Sequence, residues 1–397
     1  MAELYDHQVS AVKKLQELKV GALFMEPGTG KTRSAYTLVK SVENVNCVLW
    51  LTPFRTKENL LQEINECGGI ENLRIEGIES ISMSDRIFLE LEEYVKSRRV
   101  FLVCDESLKI KNIDAKRTQR IIKLGQGCEY KLILNGTPLT RNILDIWAQM
   151  EFLSPKILGM NYLKYKNTFC EWVIVKKTDG MYPYKREYIT GHHNVNYLYS
   201  LISPYVYECD LSLDVDRYSY RCDYVLGYEL RERYAEIKEK YLRYEEMDRL
   251  SNNLFMQMTQ ELQHSYCCAA DKFSETDMIL AKHGRENCII FCKYIVSRKE
   301  CEQRYPGAMV LSYGMHSFGL NLQARNVIIF FDKSFDYSQR AQAEYRVFRL
   351  GQHRDVFYYD LTGDCKLEHL IDRNIKNKIS LLQYFKSVAV SEIVKVL

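Results

Sequence analysis

Four short apolar runs in the first 155 residues, each followed by a helix-length amphipathic stretch, restrict the fold of this chain more than any other feature. They are Gly21-Ala22-Leu23-Phe24-Met25, Cys47-Val48-Leu49-Trp50-Leu51, Val100-Phe101-Leu102-Val103-Cys104 and Lys131-Leu132-Ile133-Leu134. A strand that is apolar at nearly every position, rather than at every second one, must be covered on both faces. Such strands, separated by helical patterns of about ten to fifteen residues, pair in parallel with helices on either side. The pattern returns near the end of the chain with Cys288-Ile289-Ile290-Phe291, Ala308-Met309-Val310-Leu311, Val327-Ile328-Ile329-Phe330-Phe331 and Val356-Phe357-Tyr358-Tyr359. The expected fold class is therefore α/β, with two parallel-sheet lobes.

At 397 residues the chain exceeds what one hydrophobic core usually serves, which agrees with two lobes and a separate middle section. The expected boundaries are 1–155 for the first lobe, 156–282 for a mainly helical insertion and 283–397 for the second lobe. Within the insertion Leu230, Tyr234, Ile237, Tyr241 and Tyr244 recur at helical spacing with charged residues between them. This marks an amphipathic helix starting near Tyr228, expected as an arm or protrusion.

Met25-Glu26-Pro27-Gly28-Thr29-Gly30-Lys31-Thr32 follows the first strand and opens a helical pattern. Glycines at Gly28 and Gly30 let backbone N–H groups turn toward phosphates beside Thr29. Lys31 suits the β and γ oxygens of a nucleotide, and the Thr32 hydroxyl suits magnesium. Met25 stands where the full pattern has glycine. The third strand runs into Asp105-Glu106. In a nucleotide site the aspartate holds the metal while the glutamate orients and deprotonates the attacking water.

Net charge is only +3, so a nucleic-acid surface has to be local. One candidate is the segment from Lys109 to Lys123, where Lys109, Lys111, Lys116, Arg117, Arg120 and Lys123 face a single Asp114. The thirteen cysteines show no zinc-ligand spacing and are expected as reduced thiols. No apolar run approaches membrane-spanning length and the start has no signal-peptide pattern, so neither membrane insertion nor secretion is expected. No structural zinc is expected either.

Taken in order along the chain, these segments resemble the Swi/Snf-type DNA translocases of helicase superfamily two. Leu4-Tyr5-Asp6-His7-Gln8 resembles the adenine-reading N-terminal motif, with Gln8 in its glutamine position. Glu26 to Thr32 matches the phosphate loop, and Thr52-Pro53 with Asn59 to Ile64 resembles the DNA-facing motif that follows. Asp105-Glu106-Ser107-Leu108-Lys109-Ile110-Lys111-Asn112 is close to the acidic motif, including its trailing Ile-Lys-Asn. Leu134-Asn135-Gly136-Thr137-Pro138 resembles the lobe-coupling motif, with Asn135 where threonine is usual, so a hydroxyl role falls to Thr137. In the second lobe Gly319-Leu320-Asn321-Leu322 is similar to another coupling motif. Gln342 to Gln352 matches the arginine-finger motif at nearly every defining position.

The resemblance implies two RecA-like lobes, ATP and Mg2+, and a DNA-dependent ATPase that translocates on double-stranded DNA. By implication Lys31, Glu106, Arg346 and Arg349 are catalytic. Gln8, Gly28, Thr29, Gly30, Thr32 and Gln342 bind nucleotide, and Thr32 and Asp105 bind the metal. Thr137, Gly319 and Asn321 couple the lobes, while Thr52, Arg55, Lys109 and Lys111 are candidate DNA contacts. Arg346 and Arg349 are expected on one helical turn. A compact bacterial or bacteriophage form is expected, monomeric and cytoplasmic, in the host cytoplasm if phage-encoded. Branched or single-stranded DNA are alternative substrates, and an unidentified protein partner is allowed for. Only 27 residues separate Phe291 from Gly319, fewer than the family usually has there, so the second lobe is expected to be pared down. Two other readings are a strand-separating or branch-migration helicase and an ATP-gated DNA clamp with low turnover.

Overall fold

The computed structural model describes residues 3–136, 143–177, 184–242, 252–313 and 322–377. The chain divides into two compact units, Met1–Leu211 and Ser212–Leu397. In the first, β1 (Val20–Met25), β2 (Cys47–Thr52), β3 (Leu73–Gly77), β4 (Val100–Cys104) and β5 (Tyr130–Asn135) share one sheet with a later short strand. An antiparallel hairpin, β6 (Cys170–Lys177) and β7 (Tyr184–His192), comes between β5 and that strand, β8 (Val206–Cys209). The sheet order is β3-β2-β4-β5-β1-β8, and every neighbouring pair is parallel.

The apolar runs explain this arrangement, because each strand feeds two cores. Ala22, Leu49, Leu102 and Ile133 point to one face, while Leu23, Trp50, Val103 and Leu132 point to the other. Parallel pairing also brings the carboxyl ends of all six strands to one edge, where open α/β sheets bind ligands. The motifs after β1, β2, β4 and β5 therefore meet there although 27 to 110 positions separate them in pairs along the chain, as from Met25 to Thr52 and from Met25 to Asn135.

The second unit holds β9 (Arg217–Tyr224), β10 (Cys288–Cys292), β11 (Met309–Ser312), β12 (Val327–Phe330) and β13 (Val356–Gly363). Their order is β11-β10-β12-β13-β9, again parallel throughout. Two parallel-sheet α/β units are thus present, as the alternating runs require.

Residues 156–282 are divided between the units. The strand β8 lies beside β1 and the strand β9 lies beside β13. Neither strand has an apolar run. β9 reads Arg-Tyr-Ser-Tyr-Arg-Cys-Asp-Tyr and is mostly exposed. Cross-strand rings hold it, with Tyr218 stacked on Phe357 at 5.3 Å and Tyr220 on Tyr359 at 5.1 Å. The helix Tyr228–Leu242 begins where expected, but it is not an arm. Ile237 and Tyr241 are buried in the second unit's core with Phe255 and Leu262, and Leu230 and Tyr234 pack against it. An amphipathic stripe gains most by covering apolar surface, and the second sheet supplies it. No described helix is long and apolar enough to cross a membrane.

Candidate nucleotide site

The chain leaves β1 at Met25, turns through Glu26 to Gly30 and enters the helix Lys31–Lys40. Gly28 and Gly30 have φ of 88° and 78°, a region that disfavours any residue with a Cβ. The helix N-cap is Gly30, which offers no side-chain cap, and the first turn contains no acidic residue. Its leading N–H groups therefore lack the side-chain acceptors that usually satisfy them, which leaves a cradle for an anion. Thr32 is the second residue of that helix and is partly buried.

A side chain from the first helix backs the loop. Gln8 is 1% exposed. Its Nε2 donates to the Thr29 carbonyl at 3.0 Å, and its Oε1 accepts from the Tyr5 N–H at 3.2 Å. The His7 Nε2 also lies 2.8 Å from the Thr29 carbonyl. A Cβ built on Gly30 would run into the Gln8 amide. Gln8 therefore supports the backbone of the phosphate loop directly. On the other side, Thr29 closes the turn through its hydroxyl, which donates to the Glu26 carbonyl at 2.7 Å.

Lys31 donates from Nζ to the Met25 carbonyl at 2.9 Å. Burial lowers its pKa, opposed by the nearby carboxylates of Glu106 and Asp105. Those carboxylates come from the end of β4. Asp105 accepts the Glu106 N–H at 2.8 Å and the Thr52 hydroxyl at 3.4 Å. Burial first, and then the charge of Glu106, push the Asp105 carboxyl up to about 7, against the pull of Lys31. Glu106 has φ 49° although it has a side chain. That backbone costs energy, and such strained residues cluster where a side chain must be aimed at chemistry. Gly136, after β5, closes the group, since a Cβ there would sit 3.1 Å from Pro27 and 3.6 Å from the Lys31 Nζ.

In the second unit the helix Tyr337–Glu344 carries Gln342, which is exposed. The helix stops at Glu344, so Arg346 and Arg349 lie in the following turns and do not share the helical turn expected from their spacing. The turns that follow are fastened at their far end. Gly351 takes φ 92°, and Gln352, 4% exposed, ties the backbone into turns by accepting the N–H groups of His353 and Arg354 on its Oε1. Arg349 is exposed. Arg346 is partly buried, its guanidinium 5.8 Å from the centre of the Phe291 ring, and burial lowers its pKa.

With this geometry in place, the SNF2-related domain family matches residues 71–305, more than half of the chain. The chain belongs to this family. Among curated relatives, the human DNA repair and recombination protein RAD54B is 26% identical over 177 residues, covering 38% of this chain and 19% of that protein. The Schizosaccharomyces pombe SWI/SNF chromatin-remodeling complex subunit snf22 is 22% identical over 451 residues, covering 91% of this chain and 26% of its own length. This SNF2-related chain thus spans about a quarter or less of the length of these two relatives. A solved structure, the Sulfolobus solfataricus SWI2/SNF2 ATPase core in complex with dsDNA, is 18% identical with a TM-score of 0.44. The alignment covers 100% of this chain and 95% of that one.

The residues expected to contact DNA in this SNF2-related chain are mostly engaged within the protein. Thr52 is fully buried, with its hydroxyl 2.7 Å from that of Thr56 and 3.4 Å from Asp105, so it belongs to the carboxylate edge and offers DNA no surface. Lys109 pairs with Glu79 at 2.7 Å and Lys111 with Asp145 at 3.0 Å. Lys116 and Arg120 share Asp85, and Lys123 pairs with Glu92 at 2.8 Å. Five of the six basic residues of this segment are therefore paired with acids brought from other elements, a pairing invisible along the sequence. Arg55 is exposed and has no ion-pair partner among the described residues. Thr137, Gly319 and Asn321 lie outside the described residues.

Two features went unforeseen. Ser107, next to the acidic pair, is buried and donates to Gln149 Oε1 at 2.6 Å on the helix Leu144–Leu153. In the second unit an ionic cluster is buried at the carboxyl edge of β12. Lys272 pairs with Asp332 at 2.7 Å, both fully enclosed, and Lys333 pairs with Glu368 at 3.3 Å and with Asp372. Lys293, its Nζ 2.9 Å from the Phe335 ring centre, is pushed down to about 7 by burial. Only the Asp332-Lys333 pair after an apolar strand hinted at this.

Proposed function

We propose that this chain is a DNA-dependent ATPase that moves along double-stranded DNA. The observation that carries the reading is the carboxyl edge of the first sheet. There an uncapped helix N-terminus, the Lys31 ammonium and the Asp105-Glu106 pair converge. This is the set that phosphoryl transfer to water requires, and SNF2 family membership fits it.

The nucleotide's phosphates would lie against the N–H groups of Gly28 to Thr32, with Lys31 on the β and γ oxygens. Magnesium fits the donors present. Asp105 and Thr32 are hard oxygen ligands, and the buried Asp105 carboxyl beside Glu106 gains charge balance from a cation. When bound, the ion would neutralise charge on the transferring phosphoryl group. Glu106, held in its strained backbone, would orient water and take its proton. Gln8 would fix the loop and read the base, and Arg346 and Arg349 would act as arginine fingers, with Gln342 beside the nucleotide. Thr137, Gly319 and Asn321 are proposed to relay nucleotide state to DNA, and Arg55 to meet its backbone.

The test is ATP hydrolysis measured in parallel with duplex DNA, single-stranded DNA and RNA, on the parent and on Lys31→Ala and Glu106→Gln. Duplex-stimulated turnover, abolished in both variants, is expected. Turnover indifferent to nucleic acid would overturn the DNA motor. Undetectable turnover with ATP-dependent retention on DNA would identify a clamp, and strand displacement on forked substrates would identify a helicase.

A further inference from the structure

Two glutamines of the second unit each bond the main chain of the other's segment, and one of those segments carries Arg349. Gln323 lies in the short turn Leu322–Ala324, ahead of β12. Its Nε2 donates to the Leu350 carbonyl at 2.7 Å. Gln352 reaches back, its Nε2 lying 3.2 Å from the Gln323 carbonyl and 2.9 Å from the Arg325 carbonyl, with a longer 3.4 Å approach to Val347. Its Oε1 accepts the N–H groups of His353 and Arg354 at 3.1 Å each. Every polar atom of this buried amide is engaged, and its only partners are main-chain groups.

The clasp has firm ground on one side. Arg325 donates to the Cys288 carbonyl at 2.8 Å, at the start of the buried strand β10. Arg354 donates to Asn287 Oδ1 at 2.9 Å and to the Ala324 carbonyl. On the other side, Gly351 at φ 92° lets the chain reverse against Gln323, whose Oε1 is 3.3 Å from where a Cβ would stand. Between Val347 and Gln352 the backbone makes only short-range turns, Arg349 N–H to the Val347 carbonyl at 3.1 Å and Gln352 N–H to the Arg349 carbonyl at 3.0 Å. No helix continues past Glu344, and the segment is held by the buried Val347 and Phe348 side chains and by these tertiary hydrogen bonds to its main chain.

We propose that Gln323 and Gln352 are positioning residues for Arg349, a reciprocal amide clasp that makes the placement of this arginine depend on the turn Leu322–Ala324. The proposal rests on the arginine-finger reading above. Losing the clasp leaves the charge in place but loosens its aim, and a displacement of about 1 Å in a catalytic group costs on the order of 10²-fold. Removing the guanidinium itself costs roughly 10³-fold or more.

The experiment compares duplex-stimulated ATP turnover of Gln352→Ala, Gln323→Ala, Arg349→Ala and the double variant Gln352→Ala/Arg349→Ala in the full chain. Gln352→Ala is expected to lower kcat about 10- to 100-fold while the KM for ATP stays within about threefold, because the phosphate loop is untouched. In the Arg349→Ala background it should lower kcat no further, since the guanidinium that the clasp positions is then absent. A structural defect would instead reduce both backgrounds by the same factor, and that result would overturn the clasp. Parent-like turnover by Gln352→Ala beside a crippled Arg349→Ala would also remove the clasp and leave the finger reading standing. Full turnover by Arg349→Ala would remove both. If Gln352→Ala does not fold, Gln323→Ala breaks the partly exposed half and carries the same comparison.

Discussion

The contact between Gly30 and Gln8 lends itself to a thermodynamic cycle. Gly30→Ala places a side chain on a backbone at φ 78°, which costs about 1–2 kcal/mol. The new methyl also occupies the site of the Gln8 amide. Gln8 is buried and must leave, giving up its bonds to Thr29 and Tyr5 at about 1 kcal/mol each. The single variant should therefore lose about 3–4 kcal/mol and Gln8→Ala about 2. If the two residues contest one space, the double variant loses no more than Gly30→Ala, because the amide bonds are already counted. The assay is urea unfolding followed by tryptophan fluorescence. Trp50, Trp147 and Trp172 are the only tryptophans and all lie in the first unit, so the signal reports that unit alone. A deficit of about 2 kcal/mol moves the midpoint by roughly 1 M. Strict additivity, with the double variant about 5–6 kcal/mol below the parent, would refute the packing argument.

Other consequences follow from the described contacts. Lys272→Met strands Asp332 in the second core and should cost about 3–5 kcal/mol by calorimetry. Pairing it with Asp332→Leu should recover part of that loss, and no recovery would count against the ion pair. Lys293 titrates at about 7 in the folded chain against 10.5 in the ordinary state. The unfolded chain then binds the extra proton between those values, so this group's penalty is full below pH 7 and fades toward pH 10.5. Relative to Lys293→Met, the parent should therefore gain stability as pH rises across that window, by roughly 5 kcal/mol at most. A pH-independent difference would show that Lys293 is charged throughout. Charge reversal at Lys111, already paired with Asp145, should leave the salt slope of duplex binding unchanged, whereas Arg55→Glu should shift it. Equal effects in binding titrations would restore Lys111 as a DNA contact.

Much of the first unit was legible because burial on both faces leaves a continuous apolar trace. β1, β2, β4 and β5 could be placed from Leu23, Trp50, Leu102 and Ile133 alone. β9 could not. Its Tyr218 and Tyr220 are ordinary surface residues until Phe357 and Tyr359 stand opposite them. The helix after Tyr228 showed its stripe, but the stripe did not say which core would take it. In the arginine segment, spacing suggested helix, whereas the chain goes on in turns after Glu344, where Gln352, a polar residue with no periodic signal, bonds the main chain.

The sequence by itself determined the parallel α/β class, the glycine turn that opens the helix Lys31–Lys40 and the acidic pair, since each depends on neighbours along the chain: a strand, then glycines or carboxylates, then a helix start. Tertiary structure alone decided how those groups act on one another. It set Gln8 under Gly30, buried Thr52 against Asp105, pushed that carboxyl up beside Glu106, and paired Lys109, Lys111, Lys116, Arg120 and Lys123 with acids from other elements. The physical reason is that charge and hydrogen bonding depend on distance and desolvation in space. Neither quantity can be read from order along the chain.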